Sequence, residues 1–247
     1  MRVVAIVQAR MGSTRLPGKV LMDIGGNTAL YRVITRLSRA TRINEIVVAT
    51  TTAPQDDAIV AESKRIGVKW FRGAENDVLG RYCQAANASR ANLVVRITSD
   101  CPLIDPEIVD QVVEKCVTEK ADFACNVIRR SFPRGLDTEV FSTTALMKTE
   151  KLAREPYQRE HVTPLFYEGQ DLFQIVSVSA GRDYSRYRWT LDTPEDLELI
   201  RAIYSHFNNN DNFTWREVIS LMERLPHLEA TNAHIVQKAI QSNAMVH

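Results

Sequence analysis

Apolar residues gather first in a short uninterrupted run, residues 3–7, β-branched and free of charge, which reads as a buried strand. It breaks into a polar loop over residues 8–19, after which helical and strand periods alternate. The pattern predicts a helix near 28–40, a strand at 45–50, a helix near 54–66, a short strand at VKWF and a helix near 78–90. LVVRIT, residues 93–98, has the near-continuous apolar character of a central parallel strand and ends at Ser99-Asp100. Asp105 before Pro106 predicts an N-cap with proline at the first helical position, opening a helix to about Thr118. Over about 122–178 the regular alternation is lost: FACNVI, LDTEVFS and FQIVSVS predict strands, with helical pieces near 143–153 and 159–167. YRWTLD, residues 187–192, predicts a further strand. PEDLELIRAIYSHF after it reads as an amphipathic helix with Thr193 as N-cap, Pro194 next and Asp196 in an acidic first turn. Two more helices follow from Trp215.

Repeated βα winding of this kind predicts a single three-layer α/β domain over residues 1–247 with a mostly parallel, Rossmann-like sheet. A β-rich insertion at about 122–180 is expected to form a pocket wall, and C-terminal helices at about 213–247 to brace the fold. At 247 residues and 45% hydrophobic content the chain suffices for one sizeable core. Thirty-one basic against 30 acidic side chains leave a net charge of +1, which gives no reason to expect a nucleic-acid partner. Positive charge is concentrated in the first loop and around Arg129, Arg130 and Arg134, which suits a small anionic substrate. The four cysteines show no C-x-x-C pairing, which argues against structural zinc and for reduced thiols in a cytoplasmic setting. No stretch is long and apolar enough to span a membrane, and the first apolar run is too short for a signal peptide.

The loop carries the chemistry. In VVAIVQARMGSTRLPGKVL, Arg10, Arg15 and Lys19 have no compensating carboxylate, Gly12 and Ser13 let backbone amides approach a ligand, and Gly18 allows a turn before Lys19. Such a loop is suited to clamping a triphosphate, the other reading being a solvated basic surface loop. It is not the nucleotide-hydrolase loop G-x-x-x-x-G-K-[ST]: the spacing from Gly12 to Gly18 is one residue too long, and Val20 replaces the hydroxyl. Nor does it contain the G-x-G-x-x-G dinucleotide fingerprint. Asp100 and Asp192 each follow a predicted strand and precede a helix start. In an open parallel sheet that position faces the ligand crevice, and two hard oxygen ligands there suit magnesium. Each has a local alternative, an Asx turn before Cys101-Pro102 and a residue just outside a helix cap.

With these residues quoted, A-R-x-G-S-T-R-L-P-G-K resembles the signature of the CMP-sugar synthetases, the cytidylyltransferases that activate 3-deoxy-manno-octulosonate and acylneuraminate, and especially the spore coat polysaccharide biosynthesis protein F group. The resemblance implies the nucleotide-diphospho-sugar transferase fold, CTP held by Ala9, Arg10, Met11, Gly12, Ser13, Arg15 and Lys19, and a homodimer. SDCPLID and LDTPEDL match the family's D-x-P-L and D-T-P-E-D motifs, which carries magnesium-ligand roles onto Asp100 and Asp192. Ser99 stands where the octulosonate enzymes have glycine. Arg81, in GAENDVLGRY, resembles an arginine that holds base or ribose, a helical surface arginine being the alternative. Arg159, Glu160 and His161 in QREHVT are candidate sugar contacts, though a histidine on an amphipathic helix also serves structural roles. Arg134 and Asp137 are candidates for the same pocket, with Asp137 and Glu139 alternating on one strand face as a salt bridge or pocket wall.

The expected activity is magnesium-dependent transfer of CMP from CTP to an acidic sugar, with Lys19, Arg10 and Arg15 neutralising the departing pyrophosphate. A nucleotide-sugar glycosyltransferase is the main rival, disfavoured by the lack of a D-x-D motif near a strand end. A sugar-1-phosphate nucleotidyltransferase is disfavoured by the immediate P-G-K spacing, and a non-catalytic nucleotide-binding relative by the presence of both aspartates and Lys19.

Overall fold

The computed structural model describes residues 1–237. The first apolar run forms β1 (Val3–Gln8), the central strand, with only Gln8 reaching the surface. Alternation along it serves both faces: Val3, Ala5 and Val7 pack into one apolar cluster, Val4 and Ile6 into the other. It lies parallel between β4 (Glu45–Thr51) and β6 (Leu93–Thr98), with β5 (Lys69–Gly73) beyond β4. On the other side of β6 come β8 (Glu139–Ser142), β7 (Phe123–Cys125) and β9 (Ile175–Ser177). The seven-stranded order is β5-β4-β1-β6-β8-β7-β9, with β8 antiparallel to both its neighbours. A separate hairpin, β2 (Asp23–Ile24) with β3 (Asn27–Thr28), follows the first loop.

Helices cover both faces of the sheet. On the face of Val3, Ala5 and Val7 lie α1 (Ala29–Leu37), α2 (Asp57–Ile66) through Ile59, α4 (Pro106–Thr118), α8 (Pro194–His206) and α9 (Trp215–Arg224), with the short α10 (Pro226–Ala230) after them. On the opposite face lie α3 (Val78–Ala88), α5 (Thr143–Leu152) and α7 (Pro164–Glu168), the last packing Phe166 against Phe123 with ring centroids 4.6 Å apart. The predicted caps form. Asp105 accepts from the amides of Glu107 at 3.0 Å and Ile108 at 3.4 Å, while Thr193 and Asp196 close a reciprocal capping box around Pro194.

Two expectations are corrected. Residues 187–192 do not join the sheet; the segment makes one bridge, Arg134 to Arg188, because its neighbour is the bent Pro133–Gly135 loop rather than a strand. The helix expected near 159–167 is two, α6 (Pro156–His161) and α7, interrupted where Val162 takes φ +70° and Pro164 opens a new turn. The strands of residues 122–180 complete the same sheet, and α5, α6 and α7 lie between them. The C-terminal helices are seen as α9 and α10, and the rest of the expected 213–247 segment beyond 237 lies outside the described residues.

Strand order reverses between β1 and β6, since β1 leads on to β4 and β5 while the chain after β6 builds the opposite side. Ligands in open α/β sheets bind beyond the strand ends at such a point. Gly135 sets the position of the nearby 187–192 segment. It has φ +104°, and a Cβ there would lie 2.5 Å from the Trp189 carbonyl carbon, a contact no neighbouring backbone can accept unmoved. Gly135→Ala is therefore expected to lower stability by at least about 2 kcal/mol in urea unfolding; an unchanged midpoint would contradict this close approach.

Candidate active site

The loop after β1 is anchored from below. Ala9 donates its amide to the Ala49 carbonyl at 3.2 Å, and Met11 donates to Asp56 Oδ1 at 2.8 Å. Asp56 is fully buried, and its other oxygen accepts from the Thr50 and Thr51 hydroxyls. Sequence reading missed Asp56, because a carboxylate in a PQDD turn carries no local sign that it supports a loop 45 residues earlier. The Met11 carbonyl then accepts from both the Ser13 amide at 2.8 Å and the Gly18 amide at 3.1 Å. This closes the loop into a ring, with Gly18 at φ +69° directing the chain into a 3-10 turn, Lys19–Leu21.

That turn aims Lys19 across the reversal point. Its Nζ lies 2.8 Å from Asp100 Oδ2 and 2.7 Å from Asp192 Oδ1. Arg15 Nη2 meets Asp192 Oδ2 at 2.9 Å. The two acidic segments are tied by backbone as well, the Asp100 carbonyl accepting from the Leu191 amide at 2.8 Å and the Thr190 hydroxyl at 3.2 Å. Burial alone would lower the Lys19 pKa, but attraction to Asp100 and Asp192 and hydrogen bonds to both outweigh it and hold the ammonium above its ordinary value. Burial opposes ionisation of Asp100, and the Lys19 charge overcomes this and holds the carboxyl below its usual range. Arg188, which sequence reading also missed, donates to Asp192 Oδ2 at 3.0 Å and to both oxygens of the fully buried Asp196.

A cavity of about 480 Å³ opens over this cluster, lined on the loop side by Ala9, Arg10, Ser13, Arg15 and Lys19 and on the opposite side by Arg81, Ser99, Asp100, Glu160 and Asp192. Met11 and Gly12 do not line it. Arg10 is exposed and makes no ion pair among the described residues. Arg81 is 2% exposed, donates to the Ala74 carbonyl at 2.5 Å, and leaves its Nε without a partner; burial lowers its pKa. A cation so placed at a cavity wall is short of an acceptor.

A second cavity of about 450 Å³ adjoins the first, and Thr98 and His161 line both. Its walls carry Arg134 and Asp137, as expected, together with Arg96, Arg130, Glu139 and Tyr167. Charges here are mostly matched. Arg130 holds Asp137 in a fork at 2.6 and 2.9 Å, and Arg96 pairs with Glu139, which also accepts from Tyr167 and Thr163. Arg134 makes no side-chain ion pair among the described residues; burial and then the neighbouring Arg130 lower its pKa. His161 is shifted down by burial first, with Arg96 and Arg10 acting in the same direction against Glu160.

Two expected sugar contacts are relocated. Arg159 lines neither cavity: its guanidinium meets Asp77, the N-cap of α3, at 2.6 Å. Glu160 lines the first cavity, not the second. The break at Val162 accounts for this by ending α6 just after His161. All four cysteines are buried and free. Among the described residues no three His, Cys, Asp or Glu side chains converge into a metal cage, and no helix is long and apolar enough to cross a membrane. Asp100 and Asp192 fit a different donor pattern, that of magnesium held by one or two carboxylates together with substrate phosphates; their oxygens already converge on one cation, the Lys19 ammonium.

Comparison with known proteins identifies the family. The chain is 31% identical to spore coat polysaccharide biosynthesis protein SpsF of Bacillus subtilis, with 91% of this chain and 95% of that protein covered. It superposes on a cytidylyltransferase structure from Leptospira borgpetersenii with TM-score 0.89 at 35% identity, covering all of both chains. A CMP:2-keto-3-deoxy-manno-octonic acid synthetase solved with CTP shares the fold, with TM-score 0.64 at 20% identity over 84% of this chain and 100% of that one. The cytidylyltransferase family profile matches residues 4–223. The chain belongs to the cytidylyltransferase family and is a nucleotidyltransferase.

Proposed function

We propose that this enzyme transfers CMP from CTP to the anomeric hydroxyl of an acidic sugar of the ulosonic type, with magnesium, releasing pyrophosphate for the synthesis of a surface polysaccharide or glycan. The observation that carries the reading is the meeting of Lys19 with Asp100 and Asp192 at the mouth of a cation-lined cavity. The CTP in the related synthetase structure and the polysaccharide role named for the Bacillus protein support it. A homodimer acting in the cytoplasm belongs to the same proposal and rests on the family resemblance.

In this reading the triphosphate lies in the first cavity and the sugar in the second. The hydroxyl oxygen attacks the α-phosphorus and releases its proton to water, the bond to the bridging α–β oxygen breaks, and pyrophosphate leaves. Arg10, Arg15 and Lys19 neutralise the charge that grows on the leaving group, and the loop amides orient it. Asp100 and Asp192 hold magnesium, which when bound supplies Lewis-acid charge neutralisation at the phosphate. Arg81 takes a polar group of the nucleoside with its unpartnered Nε. Arg134, the cation of the second cavity without an ion pair among the described residues, receives the sugar carboxylate, while Arg130 is already engaged by Asp137. His161 stands where the two cavities meet and presents a neutral imidazole.

CTP with magnesium is expected to raise the thermal midpoint, by the equivalent of about 2.7 kcal/mol at 100 times its dissociation constant, with UTP, ATP and GTP giving less. Equal responses to all four would contradict cytosine selection, and a response to a nucleotide-sugar alone would move the reading to a glycosyltransferase. With 3-deoxy-manno-octulosonate as the probe acceptor, Asp100→Asn and Asp192→Asn should each slow pyrophosphate release by about 100-fold or more, the scale of removing one electrostatic stabiliser. Undiminished release in either variant would remove that residue from the metal site. The His161 imidazole should titrate by NMR below the ordinary value of about 6.5; a value at or above it would contradict a neutral imidazole at the junction.

A further inference from the structure

Asp100 and Asp192 have unequal sets of counter-ions. Lys19 is the ion-pair partner of Asp100 among the described residues, while Asp192 meets Lys19, Arg15 and Arg188. Arg188 belongs to the framework: it is locked by Asp196, which in turn accepts from the amides of Asp192 and Thr193 and from Asn232. Lys19 has no such lock. Its ammonium ends a flexible stem and touches only the two carboxylates, whose side chains are 25% and 12% exposed and open to the cavity.

We infer that Lys19 is the resident cation of the Asp100–Asp192 pair in the free protein, and that it yields this place to a divalent cation only when a triphosphate is present to receive its ammonium. The inference rests on the proposed nucleotide site and adds an order to its filling. The ammonium, which sits on Asp100 Oδ2 and Asp192 Oδ1, and a divalent cation would compete for the same two carboxylates, and their mutual repulsion disfavours joint occupancy. Moving the ammonium away with no anion to meet it leaves a largely enclosed charge unpaired. A triphosphate supplies that anion within the same cavity. Lys19 therefore exchanges one set of anionic oxygens for another, and the carboxylates exchange a monovalent cation for a divalent one. Metal and triphosphate are coupled through a single side chain, and by linkage each strengthens the other. The free enzyme is kept from holding a divalent cation in a site where no phosphate is ready to share it.

Manganese alone is the direct probe, followed by water-proton relaxation in the absence of nucleotide, after thermal unfolding has established that each variant is folded. Wild type should bind Mn²⁺ weakly, and Lys19→Met should bind it about 10- to 100-fold more tightly, within the usual range of coupling between linked sites. Lys19→Arg keeps a resident cation and should bind as weakly as wild type. The double variant Lys19→Met with Asp192→Asn should lose the gain, and Lys19→Gln serves in place of Lys19→Met if the latter fails to fold. Wild type binding Mn²⁺ as tightly as Lys19→Met would overturn the exchange while leaving the two aspartates as a metal site. Absence of Mn²⁺ binding by both proteins, with CTP as well as without it, would overturn the exchange together with the metal reading beneath it.

Discussion

The ion-paired contact of one ammonium with two carboxylates, at the point where the sheet reverses its strand order, is the constraint on which the rest of this site depends. It joins three stretches of chain that are far apart in sequence: the loop after β1, the turn after β6 and the extended segment before α8. Each is held by further contacts as well. Asp56 fixes the first, the Asp100 carbonyl gathers the second and third, and Gly135 permits the close backbone approach that carries Arg188 and Asp192 into place. The site is thus built on strand ends and pinned turns rather than on a free loop, the condition under which electrostatic groups act without reorganising.

The distribution of charge follows one rule through both cavities. Carboxylates that shape walls are paired by arginines, as in Arg130 with Asp137 and Arg96 with Glu139. Other cavity cations are short of partners among the described residues: Arg10 and Arg134 make no ion pair, and the Nε atoms of Arg81 and Arg96 meet no acceptor. Lys19 and Arg15 fall between these groups. They are paired, but to the two aspartates that open to the first cavity. A pattern of this kind keeps strongly charged cavities stable when empty, because few of the enclosed charges lack a neighbour of opposite sign.

Much of this was legible in the chain. The β1 run, LVVRIT and the Asp105 and Thr193 caps were readable because their determinants are local: apolar runs, an N-cap and a proline within four residues. The cation-rich loop and the two aspartates stand out by residue type and by the family resemblance, and the structure brings them together around one cavity. What escaped was set by tertiary contact. Nothing in YRWTLD reveals that its neighbour would be a bent loop instead of a strand, and nothing near Gln158 shows that Val162 would take a left-handed conformation and split the helix. Arg159 was read as a sugar contact because it neighbours His161, yet the helix turns the two side chains to different partners. Asp56 and Arg188 act through residues distant from themselves or below the cavity surface, so their types alone carried no signal.

In the proposed function the two carboxylates and the loop cations form one metal–triphosphate site. A crystal structure with CTP and Mn²⁺, using manganese anomalous scattering, tests it most directly. The expected result is an anomalous peak at Asp100 and Asp192, with Lys19 Nζ moved onto a phosphate oxygen and the second cavity open beside the α-phosphate. Nucleotide bound with Lys19 still spanning both aspartates, or manganese bound away from them, would contradict it.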